Sequence, residues 1–418
     1  MKTFRLCGLF FLAWLTEARA LDDFLDRLGE TLTINAFEGQ FRTQLRGTLD
    51  FEIYHLDGPG PSLIYTDDSI LLNPRLTLFV DSQIGPAVYV FGQARVDRGF
   101  DPSESGAELR ADEYAVRFTP WQDGRFNVEL GKFATVVGNW VGRHHSWENP
   151  FVTAPLPYDY LLGLWDSVAP RGGAILLDWA HINTYPGEPP TNENVDRKFR
   201  IPLIWGPSYA SGIALSGRVG KFDYAVEVKN ASLSSRPEYW DVTQTNFEYP
   251  TFSGRLGFRP NEMWNFGFSA SNGTYLNEVA EPTLAAGHSL DDYREIIVGE
   301  DIAFAWHHLQ IWAESYQAHF QIPRIGNADA WAYYVEAKYK VTPQLFAALR
   351  WNQELFSTVH DGRGNPFTWS RDVWELDSAI GYRLTAHLQL KLQYSLQHQD
   401  SAPYEYGHTV ATQLTLRF

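Results

Sequence analysis

From Phe41 onward apolar and polar residues take turns. Phe41, Leu45, Leu49, Phe51 and Ile53 share one parity, and Arg42, Gln44, Arg46, Asp50 and Glu52 share the other. Only a strand, with its period of two, separates them so. The pattern recurs in Tyr224, Val226 and Val228 against Asp223, Glu227 and Lys229, and in Leu388, Leu390, Leu392, Tyr394 and Leu396 against Gln389, Lys391, Gln393, Ser395 and Gln397. Strands are read near 38–54, 73–83, 86–98, 108–119, 124–133, 209–219, 221–231, 250–259, 262–272, 292–305, 308–320, 329–340, 343–356, 373–384, 387–397 and 408–418. They run to about 10 to 14 residues, where strands of water-soluble proteins average about five or six.

The connections sort by length. Tight turns at Ile84-Gly85-Pro86, Gln122-Asp123-Gly124, Gly220-Lys221, Pro260-Asn261-Glu262, Thr342-Pro343 and Thr385-Ala386 alternate strictly with longer, polar links. Short turns on one side and long loops on the other predict an all-β fold, a transmembrane antiparallel β-barrel of about 16 strands with a long third external loop. Segments 172–179 and 200–205 are apolar enough to raise the count to 18. The barrel spans 38–418, with the long loop at 134–208. Ahead of it, 21–37 reads as a short periplasmic segment in which Leu21, Phe24, Leu25, Leu28 and Leu32 take helical spacing. Residues 1–20 form a signal peptide: Lys2 and Arg5, an apolar run from Leu6 to Leu15, then Ala18-Arg19-Ala20. The run is too short for a spanning helix.

Composition narrows the function. The 418 residues carry a formal net charge of -16, which argues against nucleic acid as a partner. Aromatics make up 15% of the chain, and outward Trp264, Trp331, Tyr333, Tyr339, Trp351, Trp374 and Tyr382 fall near strand ends, where amphipathic rings favour a headgroup level. The single cysteine, Cys7, lies in the leader, so disulfides and thiol chemistry are excluded from the mature chain. Nucleophile, P-loop, dinucleotide and zinc motifs are missing, so no catalysis and no cofactor are expected. Glu300 breaks the outward pattern among Ile296, Val298, Ile302 and Phe304, which calls for either a bulge or a subunit contact.

The last strand ends in Val410, Leu414, Leu416 and terminal Phe418 on one parity. With the leader, the long strands and the acidic balance, this resembles the Gram-negative outer-membrane porins, general, anion-selective or carbohydrate-selective. The resemblance implies recognition of Phe418 by the barrel-assembly machinery, a homotrimer, surrounding lipid and lipopolysaccharide, and a third external loop folded into the lumen. Acidic loops such as Asp67-Asp68, Asp101 to Glu108 and Asp291-Asp292 would face the lipopolysaccharide phosphates with bridging cations.

Two groups of residues are candidates for the pore. Arg42, Arg46, Arg75, Arg95, Arg117 and Arg125 sit on the inward parity of the first five strands, interleaved with Asp50, Glu52, Asp81, Asp97, Glu113 and Glu129. The long loop supplies Arg143, His144, His145, Trp147, Glu148, Asp159 and Asp166. It also holds Trp140, Phe151, Tyr158, Tyr160, Leu162 and Trp165, which need a surface to bury against: the lumen, the barrel mouth or a neighbouring subunit. Its aromatics offer stacking faces for sugar rings. The expected function is passive diffusion of small hydrophilic solutes with mild anion selectivity. The alternatives are a structural or adhesive outer-membrane barrel and an outer-membrane barrel enzyme.

Overall fold

The computed structural model of the chain describes residues 20–57, 62–66, 68–99, 106–181, 200–243, 247–400 and 406–418. All but the last residue of the expected signal peptide 1–20 lies outside the described residues, as do Asp67 and Asp101. Sixteen strands form one antiparallel sheet: β1 (Phe41–Asp57), β2 (Ile70–Ile84), β3 (Val88–Asp97), β4 (Glu108–Phe118), β5 (Asn127–Phe133), β6 (Ala210–Val219), β7 (Phe222–Lys229), β8 (Thr251–Phe258), β9 (Trp264–Thr274), β10 (Arg294–Trp306), β11 (Leu309–Ile322), β12 (Gly326–Lys340), β13 (Leu345–Phe356), β14 (Val373–Arg383), β15 (Leu388–Gln399) and β16 (Tyr406–Arg417). Each pairs with the next. β16 pairs back onto β1 from Thr48↔Arg417 to Asp57↔His408, which closes the barrel and removes its edges. Where β16 ends, the short strand Thr33–Ala36 takes over pairing to the start of β1.

The count is therefore 16, not 18. Gly173–His181 is an α-helix and Arg200–Pro202 is a three-residue strand paired with Leu161–Trp165. Both are apolar because they pack within the third loop, a burial that a strand-by-strand reading credits to the membrane. The alternation of short and long links also has one exception: β11 and β12 meet through residues 323–325 alone, with Arg324 and Gly326 at positive φ.

Burial is inverted relative to a water-soluble protein. Phe51, Ile53, Leu130, Phe252, Leu349 and Ile380 are exposed on the outer face, while Glu52, Glu314, Glu336, Arg350, Asp377 and Lys391 are buried within. Exposed rings stand near both ends of the apolar belt, Trp264, Trp306, Tyr339 and Tyr382 toward the short turns and Trp331 and Tyr406 toward the loops. Residues 20–31 are helical. Asp26 meets His387 Nε2 at 3.1 Å, and Leu45 N–H donates to the Leu32 carbonyl at 3.0 Å, which ties this segment to the short-turn rim.

Candidate functional site

The link from β5 to β6 folds into the lumen. Its apolar residues Val137, Trp140, Leu156, Tyr158, Tyr160, Leu162 and Leu164 share one core with Tyr316, Phe320, Ala332, Tyr334 and Phe356 of the inner wall. A chain that turns into a polar barrel must also satisfy its own backbone, and buried wall side chains do this. Glu314 accepts from Trp140 N–H at 2.7 Å and from the Tyr158 hydroxyl at 2.6 Å. Lys391 donates to the carbonyls of Ser146, Asn149 and Phe151 at 2.8, 3.0 and 2.8 Å. Arg350 donates to the Ala154 carbonyl at 2.9 Å, and Gln393 Oε1 accepts from Val152 N–H at 2.6 Å. Gly138 has φ +76°, and a Cβ there would stand 2.2 Å from the Tyr316 hydroxyl, so the loop enters through a position that admits only glycine.

Between this loop and the wall of β1 to β4 remains a cavity of about 160 Å³, lined by both charged and apolar side chains. Asp50, Arg75, Arg95, Asp97 and Arg110 line it from the wall, and His144, His145 and Asp159 from the loop. Each guanidinium is backed by carboxylates. Arg75 meets Glu52 at 2.5 Å and Asp50 at 3.3 Å, Arg95 meets Asp112 at 3.0 Å, and Arg110 meets Asp97 at 2.6 Å. The side chains of Arg75, Arg95 and Arg110 are 20, 13 and 10% exposed, against 1, 2 and 4% for Asp50, Asp112 and Asp97, while Glu108, 3.1 Å from Arg110, is 54% exposed. His144 is held by the Val141 carbonyl at Nδ1 and by the Tyr209 hydroxyl at Nε2, 2.5 Å away. Its ring lies 3.9 Å from that of His145, centroid to centroid. Burial pushes the His144 imidazole down to about 4, and burial with His144 and Arg95 nearby pushes His145 well below the usual range, so both are neutral at neutral pH.

The sequence candidates divide by place. Arg75, Arg95, His144 and His145 come together at the cavity. Arg46, paired with Asp81, and Arg117, 2.6 Å from Glu129, lie nearer the short turns. Arg42 is exposed beside the Ile84–Val88 turn, and Arg125 stacks on Trp121 within a turn, 3.0 Å from Asp123. Arg143 turns to the far wall, bound to Glu336 and to the Tyr334 hydroxyl at 3.0 Å. Asp166 pairs with Arg236 of the next loop at 2.7 Å. Trp147 is buried between Arg417 and Arg383, with guanidiniums 4.0 and 5.3 Å from its ring, and Glu148 is exposed. Trp140, Trp147 and Trp205 are all nearly fully buried, which leaves them little ring face for sugars.

Arg110 and Asp112 escaped the parity reading. The pairing of β3 with β4 shifts between Gln93↔Glu113 and Ala94↔Ala111, so Asp112 is an extra residue that turns inward with Arg110. The signal was present: outward apolar residues change parity from Leu109 to Tyr114 and Val116.

No family model matches this sequence, and no curated protein does. Solved structures match over nearly the whole barrel. The outer membrane channel DcaP of Acinetobacter baumannii aligns with a TM-score of 0.57 at 11% identity, covering 92% of this chain and 100% of that one. Salmonella typhi OmpF, solved in complex with daunomycin, gives 0.55 at 10% identity over 92% and 100%. An anion-selective porin from Comamonas acidovorans gives 0.54 at 11% identity over 90% and 100%. The chain therefore has the architecture of the outer-membrane porins, a likeness of fold.

Proposed function

We propose that this protein is a bacterial outer-membrane porin through which small hydrophilic solutes diffuse passively, with a mild preference for anions. The observation that carries the reading is the order of charges in the lumen. Guanidiniums of Arg75, Arg95 and Arg110 line the cavity and are more exposed than the Asp50, Asp112 and Asp97 carboxylates they pair with, although Glu108, also paired with Arg110, is exposed. A passing anion meets the more exposed guanidiniums, and the paired acids weaken the attraction. The inverted burial and the two aromatic girdles support a bilayer around the barrel. The leader supports removal of residues 1–20 on export, and Phe418 supports handling by the barrel-assembly machinery. A homotrimer, contact with lipopolysaccharide and the absence of catalysis follow from the porin reading.

Purified protein in planar bilayers tests this. Stepwise conductance with a reversal potential favouring anions at low salt is expected, fading as ionic strength screens the arginines. Silence from correctly folded protein would favour the second reading, a structural barrel, for which the dense packing of the inserted loop speaks.

A further inference from the structure

At the short-turn mouth the inner wall has a second hollow, on β6 to β11 and away from the arginines of β1 to β4. It measures about 580 Å³, and Arg218, Lys221, Arg259, Asn265, Gln310 and Trp312 line it. The sequence makes the room. One inward row crosses β9 to β11 as Asn265↔Ala303 and Ala303↔Trp312, and the next pairs Ala305 with Gln310. The two alanines leave a low floor between larger neighbours, while Phe266 and Ile302, on the opposite parity, are exposed on the outer face.

The rim of this hollow is fixed by its turns. Arg259 N–H donates to the Lys221 carbonyl at 2.8 Å, Ala305 N–H donates to the Met263 carbonyl at 2.9 Å, and Asn261 Oδ1 accepts from the Met263 and Trp264 amides at 3.0 and 3.1 Å. The cations on it are little neutralised. Arg218 Nε donates to the Gly220 carbonyl at 3.3 Å, and neither Arg218 nor Lys221 meets a carboxylate among the described residues. Arg259 meets Asp223 at 3.1 Å, but that carboxylate also serves Arg255 at 2.9 Å. Of the charged residues on the lining three are cations and one, Glu262, is an acid. Trp312 is half-buried on the floor, steadied by Arg143 of the inserted loop, 4.4 Å from its ring centroid.

An excess of cations at a concave site takes the oxygens of an anion, and an indole beside them takes a flat apolar body. The charge excess suits a phosphate monoester, which carries about -1.5 to -2 near neutral pH. We propose that this hollow binds organic phosphate monoesters with a flat ring, the phosphate on Arg218, Lys221 and Arg259 and the ring against Trp312. The proposal deepens the diffusion reading, on which its place in a solute's path rests: an anion that has passed the loop is held a second time before it leaves by the short turns.

Isothermal titration of the detergent-purified protein with phenyl phosphate tests it, with inorganic phosphate as the comparison. Saturable binding is expected, tighter for phenyl phosphate than for inorganic phosphate. Arg218→Gln with Lys221→Gln, both exposed on the rim, should weaken both probes about tenfold or more. Trp312→Leu should remove the advantage of the ring and keep the affinity for inorganic phosphate. Absence of binding overturns the site, and so does binding unchanged in the Arg218→Gln, Lys221→Gln variant, which places the anion elsewhere. Equal affinity for the two probes overturns the part given to Trp312. Bilayer conductance of the same preparation reads the diffusion channel separately: binding without conductance overturns the porin reading and leaves the hollow standing, and conductance without binding does the reverse.

Discussion

Lys391 donates its ammonium to the Phe151 carbonyl at 2.8 Å, and by that bond the wall of β15 grips the inserted loop. The same nitrogen serves Ser146 and Asn149, so one side chain satisfies three loop carbonyls. Removing a buried donor leaves acceptors unmet, at about 1–3 kcal/mol each. Lys391→Met is therefore expected to loosen residues 146–151 without opening the barrel, whose strand ladders do not use this side chain. Single-channel recording should show larger and noisier openings, and traces like those of the unaltered protein would separate the fastener from the pore.

The barrel was legible because its determinant is local. Period two, a polar lumen and turn residues at fixed places are written strand by strand, and β1, β14 and β15 fall where alternation puts them. The loop's interior was legible only as a demand: so many aromatics required a surface, and the lumen is where Trp140 and Tyr158 found it. Which polar groups meet there was not legible. Arg143 finding Glu336, or Trp147 finding Arg417, depends on residues far apart in sequence brought together by a fold in the loop. Arg110 and Asp112 were hidden for another reason, a one-residue bulge that exchanges the two faces of β4.

Arg75 and Arg95 pair with acids that outnumber them. Neutralising both leaves Asp50, Glu52 and Asp112 without these partners. At about 1 kcal/mol per unit charge at short range in water, the double variant Arg75→Gln, Arg95→Gln should shift the anion-to-cation permeability ratio toward cations by roughly fivefold or more. Reversal potentials across a low-salt gradient measure it. No shift would mean that ions travel by another route.

On the porin reading, the loop is expected to set the width of the opening. An empty barrel of sixteen strands is wide, since diameter grows with strand number, and the loop packs across this one, with a cavity of about 160 Å³ at the arginine wall. Deleting Gly138 to Asp166 should raise conductance severalfold and admit larger solutes, because closure through β16 and β1 does not involve these residues. Liposome swelling with sugars of increasing size would read the new limit. A folded deletion variant with the original limit would place the restriction elsewhere.

The histidine pair gives the loop a direction of response to acid. His144 is held near 4 and His145 is also held low, whereas both would protonate at about 6.5 in a loop withdrawn into water. The docked loop binds fewer protons than the withdrawn loop between those values. Docking is accordingly at full strength above about pH 6.5 and weakens as pH falls toward 4, the sign expected when the folded state depresses an imidazole. Protonation would also place positive charge against Arg75 and Arg95 across the cavity, which acts in the same sense. Channel recordings at pH 7.5, 6 and 4.5 should therefore show more frequent large openings as acidity rises. His144→Asn with His145→Asn removes both titrating groups and should flatten the dependence. An equally steep profile in that variant would assign the acid response to carboxylates of the wall instead.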